Sequence, residues 1–123
     1  MIKLGSFGEQ EAVQFLTEQG FKILERNYKV KYGEIDIIAL DEDTVCFIEV
    51  KTRKSLEQGM PFEAVSRFKQ YKLSQVALTY LMEKNWEGKS ARFDVVSLIL
   101  DEQGEKQLEL IKNAFDLSDR FYQ

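Results

Sequence analysis

The pattern of apolar and polar positions divides the chain into two helical and five extended segments. Apolar residues at helical spacing predict a first helix over residues 6–19, ending at Gly20, and a long second helix from Pro61 to about residue 85. Alternating apolar residues predict five strands, two of them within residues 33–53. The other three are expected at residues 21–30, 92–100 and 109–113. This order of elements predicts an α/β fold.

Residues 33–53 hold two Ile- and Val-rich runs on either side of an acidic triplet, the pattern of a β-hairpin. A tight turn at residues 42–43 pairs residues whose numbers sum to 85, which places Asp36 opposite Glu49. Like charges directly opposed on one face of a sheet are destabilising. Lys51 lies two residues beyond Glu49 and therefore on the same face. The register predicts two carboxylates and one ammonium on one patch of the sheet.

The paired carboxylates predict a divalent cation, since oxygen-only sites with open positions suit Mg²⁺ or Mn²⁺. The chain has no His and one Cys. Ser-His and Cys-His catalysis, His-ligated zinc and an internal disulfide are therefore excluded. Cys46 lies on the strand face opposite Glu49, so we expect it to be a small core residue.

Asp36, followed by Glu49, Val50 and Lys51, resembles the PD-(D/E)xK nuclease signature, with Ile35 in place of its Pro. The rest of the sequence is more specific. It resembles the YraN family of small bacterial proteins over nearly the whole chain, in the segments GSFGEQEAVQFL, ILERNYKVKYGEIDIIA, FIEVKTR, FKQYKL, RFDVVSL and IKNAF. The resemblance implies a restriction-endonuclease-like fold with a mixed central sheet of about five strands in the order αβββαββ, similar to archaeal Holliday-junction resolvases.

Several residue roles follow from this resemblance. It implies catalytic roles for Asp36, Glu49, Lys51 and Glu9, and metal ligation by Asp36, Glu49, the Val50 carbonyl and Glu9. Nucleic-acid contacts would come from Arg53, Lys54, Lys69 and Gln70, with the choice between Lys69 and Gln70 left open. From the residues alone, Ser6 and Glu9 also match a capping box, which would make Glu9 a helix cap.

Length and charge bear on organisation and partners. We expect one nuclease-like domain over residues 1–123, with the tail at about 115–123 docking on the domain or on a second copy in a homodimer. No apolar run reaches transmembrane length and no signal-peptide pattern is seen, so no membrane association and a cytoplasmic location are expected. The net charge of −4 argues against a general nucleic-acid coat, yet residues 51–89 carry a net +4. This basic segment is compatible with a nucleic-acid partner, with DNA favoured.

Three functional hypotheses remain open from the sequence. The first is metal-dependent hydrolysis of phosphodiester bonds, with branched or flapped DNA as possible substrates. The second is a nucleic-acid-binding or protein-interaction module that keeps the fold and does not cut. The third makes the charged residues purely structural, as exposed cross-strand ion pairs worth roughly 0–1 kcal/mol each.

Overall fold

The computed structural model describes residues 4–54 and 66–116. Two helices and five strands occur there in the predicted order: α1 (Leu4–Glu18), β1 (Lys22–Val30), β2 (Gly33–Asp41), β3 (Thr44–Arg53), α2 (Arg67–Lys84), β4 (Ala91–Leu100) and β5 (Lys106–Phe115). The strands lie side by side in chain order. β3 and β4 are parallel and the other neighbours antiparallel. The predicted α/β fold with a mixed sheet is confirmed, and α2 connects the two parallel strands.

The helices cover opposite faces of the sheet, because the strands alternate their apolar side chains between two cores. The core on the α1 face contains Ala12, Leu16, Phe21, Ile37, Ala39, Cys46, Ile48 and Val96. The core on the α2 face includes Ile35, Ile38, Val45, Phe47, Leu73, Val76, Tyr80, Phe93 and Val95. Cys46 is fully buried, as predicted, on the face opposite Glu49.

The helix ends show which local signals prevail. Gly20 follows α1 with φ 96°, the left-handed conformation expected of a terminating glycine. α1 is described from Leu4 onward, so Ser6 lies inside the helix and the predicted capping box with Glu9 is wrong. Ser66 caps α2, with its Oγ accepting the Lys69 backbone N–H at 3.1 Å. The predicted start of this helix at Pro61 and the predicted loop at 55–60 lie outside the described residues.

The C-terminal strand is longer than predicted, since β5 begins at Lys106 and ends at Phe115. Its charged residues interrupt the apolar alternation that the prediction relied on. The ring of Phe115 stacks on Phe93 of β4, with centroids 4.7 Å apart and an interplanar angle of 16°. Residues 117–123 lie outside the described part, so docking of the tail stays a prediction. Neither described helix is long and apolar enough to cross a membrane.

A close contact between Gly8 and Thr52 sets the position of α1 on β3. A Cβ added at Gly8 would overlap the Thr52 Oγ1 atom, whereas one added at Gly5 in the same helix meets nothing within 4 Å. We expect Gly8→Ala to destabilise the fold by roughly 1–3 kcal/mol. Gly5→Ala should be neutral or stabilising by up to about 1 kcal/mol, as for other helical glycines.

Urea denaturation of both variants measures the difference. Adding Thr52→Ala to Gly8→Ala should restore part of the lost stability, because it removes the overlapping oxygen. Equal effects of Gly5→Ala and Gly8→Ala would show that the contact does not constrain α1.

Candidate active site

The β2–β3 hairpin has the predicted register. Its paired residues run from Asp41 and Thr44 next to the turn to Ile37 and Ile48, and each pair sums to 85. Glu42 in the turn has φ 55°. The register set by the turn holds along the hairpin and places Asp36 and Glu49 next to each other, one position beyond the pair of Ile37 and Ile48.

At Asp36 the two strands stop pairing in the regular way. Asp36 Oδ2 accepts the backbone N–H of Val50 at 2.8 Å, so a side chain takes the place of a strand carbonyl. Ile37 packs in the α1 core and Ile35 in the α2 core, although residues two apart on a regular strand share a face. The predicted direct pairing of Asp36 with Glu49 across the ladder is therefore wrong. Their carboxyl groups are still hydrogen-bonded to each other.

Asn27 is the counterpart of this irregularity on β1. It lies between the pairs Arg26–Ile37 and Tyr28–Ile35, and its φ of 52° is left-handed. Asn tolerates this conformation better than most residues. The sequence prediction missed Asn27, although an Asn at the break in the alternation of this strand was the available signal.

The carboxyl groups of Asp36, which is partly buried, and Glu49, which is buried, form a hydrogen-bonded pair. Burial, the hydrogen bond to Glu49 and the charge of Glu49 raise the pKa of Asp36 to about 8. Burial alone would raise the pKa of Glu49 as well, but the hydrogen bond with Asp36 and the Lys69 ammonium lower it. These opposite shifts favour a single proton on the pair, on the Asp36 side, as in other closely placed acid pairs.

Two ammonium groups lie beside this pair. Lys69 Nζ is 2.6 Å from Glu49 Oε2, an ion pair that reaches from α2 to β3. Apart from this ion pair, Glu49 Oε2 has no hydrogen-bond partner among the described residues. Of the two α2 residues that the sequence left open, Lys69 is placed in contact with Glu49.

Lys51 and Lys69 have opposite electrostatic surroundings. Burial and the adjacent Lys69 ammonium lower the pKa of Lys51. Burial also disfavours the charge of Lys69, but its contact with Glu49 outweighs burial and raises the Lys69 pKa. Lys69 is therefore the fixed counter-charge of the pair, and Lys51 is the amine that gives up a proton more readily.

Glu9 approaches the pair from the α1 side. It lies close enough to Asp36 for its charge to contribute to the raised Asp36 pKa. With its amide turned so that the nitrogen faces the acids, Asn27 donates to Glu9 Oε1 at 2.6 Å and to Glu34 Oε1 at 3.3 Å. Asn27 thus holds Glu9 near the point where β2 leaves the hairpin ladder.

The remaining predicted site residues differ in exposure. Arg53 is buried at the end of β3, whereas Lys54 is exposed, so Lys54 is the surface cation of the two. Val50 points its N–H at Asp36 and, because both polar groups of a strand residue face one edge, its carbonyl faces β2 as well. Within residues 4–54 and 66–116, no three Asp, Glu, Cys or His side chains form a ready-made metal cluster.

Comparisons with known proteins identify relatives of the chain. The model of the family described as "Uncharacterised protein family UPF0102" matches residues 8–98. A UPF0102 protein of Syntrophus aciditrophicus is 47% identical over 95% of this chain and 91% of its own length. One from Dictyoglomus turgidum is 47% identical over 92% of this chain and 97% of its own.

Among solved structures, Pyrococcus furiosus SfsA in complex with Ca²⁺ is similar at a TM-score of 0.38 and 12% identity. The match covers 88% of this chain and 61% of that one. The two sequence relatives match over most of both chains, and the family model spans most of this one. The chain therefore belongs to the uncharacterised protein family UPF0102, which confirms the predicted resemblance to the YraN family.

Proposed function

We propose that this protein is a metal-dependent nuclease that cleaves phosphodiester bonds at the Asp36–Glu49 pair. One observation carries the proposal: the carboxyl groups of the partly buried Asp36 and the buried Glu49 are hydrogen-bonded to each other, and the Lys69 ammonium lies 2.6 Å from Glu49. If these residues formed only stabilising ion pairs on the surface, two acids placed against each other would not be required. Burying two acids together is costly unless a cation or a proton compensates.

The residues fit a hard divalent cation such as Mg²⁺ or Mn²⁺. Glu49 Oε2 is a buried oxygen that forms an ion pair with Lys69 and has no other hydrogen-bond partner among the described residues. A cation could take the place of the proton that the raised pKa of Asp36 favours, and the candidate ligand atoms are all oxygens, the preferred ligands of these ions. Asp36, Glu49 and the Val50 carbonyl would hold the ion, with Glu9 completing the set from α1.

Side chains of the protein would have the other roles in the reaction. A bound cation would supply Lewis-acid stabilisation of phosphoryl charge. Lys51, whose pKa is lowered, would accept a proton from the attacking water or stabilise charge on the phosphate. Lys69 and Gln70 on α2 and Lys54 at the end of β3 would contact the substrate backbone.

Thermal melting with Mn²⁺ tests the metal site first. Wild-type protein stripped with EDTA should gain stability on addition of Mn²⁺, by about 2.7 kcal/mol at one hundred times the dissociation constant. Asp36→Asn and Glu49→Gln should lose this response. Glu42→Gln, a neutralised acid in the exposed turn of the same hairpin, should keep it.

Cleavage assays then test the activity. Linear, flapped, branched and single-stranded DNA, together with RNA, are incubated with Mn²⁺ and either wild type or Lys51→Ala. We expect at least one substrate to be cut by the wild type and the variant to be slower by a factor of about a hundred or more. If DNA binds equally well in EDTA and nothing is cut with metal, the binding-module hypothesis replaces this one.

A further inference from the structure

Phe68 is an exposed aromatic residue in the first turn of α2. Its side chain is 71% exposed, more than Met82 or Tyr32, the other large apolar residues that are exposed in the described part of the chain. The neighbouring residues Leu73, Val76 and Tyr80 are buried against the sheet. Phe68 is therefore excluded from the core that the rest of the helix helps to form.

The surroundings of Phe68 are cationic. Arg67 and Lys69 flank it, and the Lys72 ammonium lies 5.5 Å from the centre of its ring. Residues 66–72 contain three cations, of which Lys69 is paired with Glu49, and no acidic residue, in a chain whose net charge is −4. The amino-terminal end of α2 adds the positive end of a helix dipole. This surface suits a polyanion.

The aromatic side chain is also next to the carboxyl pair. Lys69, the residue after Phe68, contacts Glu49 at 2.6 Å. A strand bound at the acid pair would therefore pass the first turn of α2, where Arg67 and Lys72 can neutralise phosphates. The arrangement of an aromatic ring among cations is the one by which proteins bind single-stranded nucleic acids.

Resting on the function proposed above, we propose that Phe68 stacks on an unpaired base, so that the substrate is single-stranded nucleic acid or the unpaired arm of a flap or branch. Bases inside a continuous duplex are already stacked on one another and do not present a free face to Phe68. A stacked base would replace the apolar contact that Phe68 lacks. Arg67 and Lys72 would hold the phosphates on either side.

Fluorescence anisotropy in EDTA tests this proposal with labelled single-stranded, flapped and fully paired DNA. Phe68→Ala should weaken binding of single-stranded and flapped DNA by about 5- to 100-fold and leave duplex binding within about twofold. Phe68→Trp should retain the affinity of the wild type, while Phe68→Leu should behave as Phe68→Ala. Lys72→Ala should weaken all three substrates and reduce the salt dependence of binding.

Met82→Ala is the matched control, because Met82 is an exposed apolar residue on the same helix, about 21 Å away along its axis. It should bind every substrate as the wild type does. An equal loss for paired and unpaired DNA in Phe68→Ala would overturn the proposal. So would a drop of several degrees in its melting temperature, which would show that other residues of the chain cover Phe68.

The two proposals fail separately. Unchanged single-strand affinity in Phe68→Ala, in a protein that still responds to Mn²⁺ through Asp36 and Glu49, would reject the stacking role and leave the nuclease proposal standing. If the wild type did not respond to Mn²⁺ while Phe68→Ala still lost single-strand affinity, the metal site would be rejected and the stacking role would stand.

Discussion

Asp36→Asn is expected to raise the melting temperature of the metal-free protein at pH 8, by roughly 5 °C or more. Asp36 has a pKa of about 8 in the folded chain, against the ordinary value of 3.8 for an unperturbed Asp. Between these values the folded state binds more protons than the unfolded state. The free energy of unfolding of the wild type therefore falls as the pH rises, by up to about 1.4 kcal/mol per unit.

Asparagine resembles the protonated form of Asp36. Its carbonyl can accept the Val50 N–H and its amide can donate to Glu49, so the variant keeps both hydrogen bonds without the costly charge. We expect its stability to be nearly independent of pH between 5 and 8. Denaturation in EDTA at several pH values measures this. With Mn²⁺ the order should reverse, because the wild type gains stability and the variant does not.

Asp41→Asn supplies the control on the same strand. Asp41 bonds Arg92 and Lys112, and the Arg92 contact is the main cause of its lowered pKa. Neutralising it should cost a little stability and leave the pH dependence between 5 and 8 as in the wild type. If Asp36→Asn melts below the wild type in EDTA and keeps the same pH dependence, Asp36 does not hold the shared proton.

Lys69→Met is expected to destabilise the metal-free protein by roughly 2 kcal/mol or more, while Lys51→Met changes its stability little. Lys69 has a raised pKa because its charge is favoured beside Glu49, and its loss leaves a buried carboxylate without its ion pair. Lys51 has a lowered pKa, so the fold disfavours its charge and a neutral side chain relieves repulsion with Lys69. Urea denaturation at pH 7 in EDTA compares the two.

Addition of Mn²⁺ separates the lysines further. In Lys69→Met, Mn²⁺ no longer competes with an ammonium group for Glu49. This variant should therefore bind Mn²⁺ about tenfold more tightly than the wild type. Lys51→Met should bind Mn²⁺ at least as tightly as the wild type and lose cleavage. Equal losses of stability in the two variants would mean that the ion pair with Glu49 is not specific to Lys69.

The hairpin and the approach of its two acids could be predicted from sequence, because a two-residue alternation and a short turn leave little freedom in the register. The departure of Asp36 from the ladder could not. It depends on Asn27 of the neighbouring strand, and the pairing of β1 with β2 is not visible in the pattern of either strand alone.

The role of Lys69 was only half predictable for a similar reason. Helical spacing placed it in the sheet-facing stripe, but its contact with Glu49 depends on how far α2 extends and where it lies on the sheet. The prediction took Pro61, which lies outside the described residues, as the start of this helix. The described helix begins at the residue after Ser66.

The parallel pairing of β3 with β4 has a consequence for the order in which the molecule assembles. The hairpin that carries Asp36 and Glu49 needs only neighbouring residues and can form early, whereas parallel strands joined by a helix close slowly because their contacts are distant in sequence. Lys69 lies on the helix that follows the hairpin, so its contact with Glu49 forms after the hairpin does. A chain emerging from the ribosome would therefore present its two acids before the ammonium group that pairs with them.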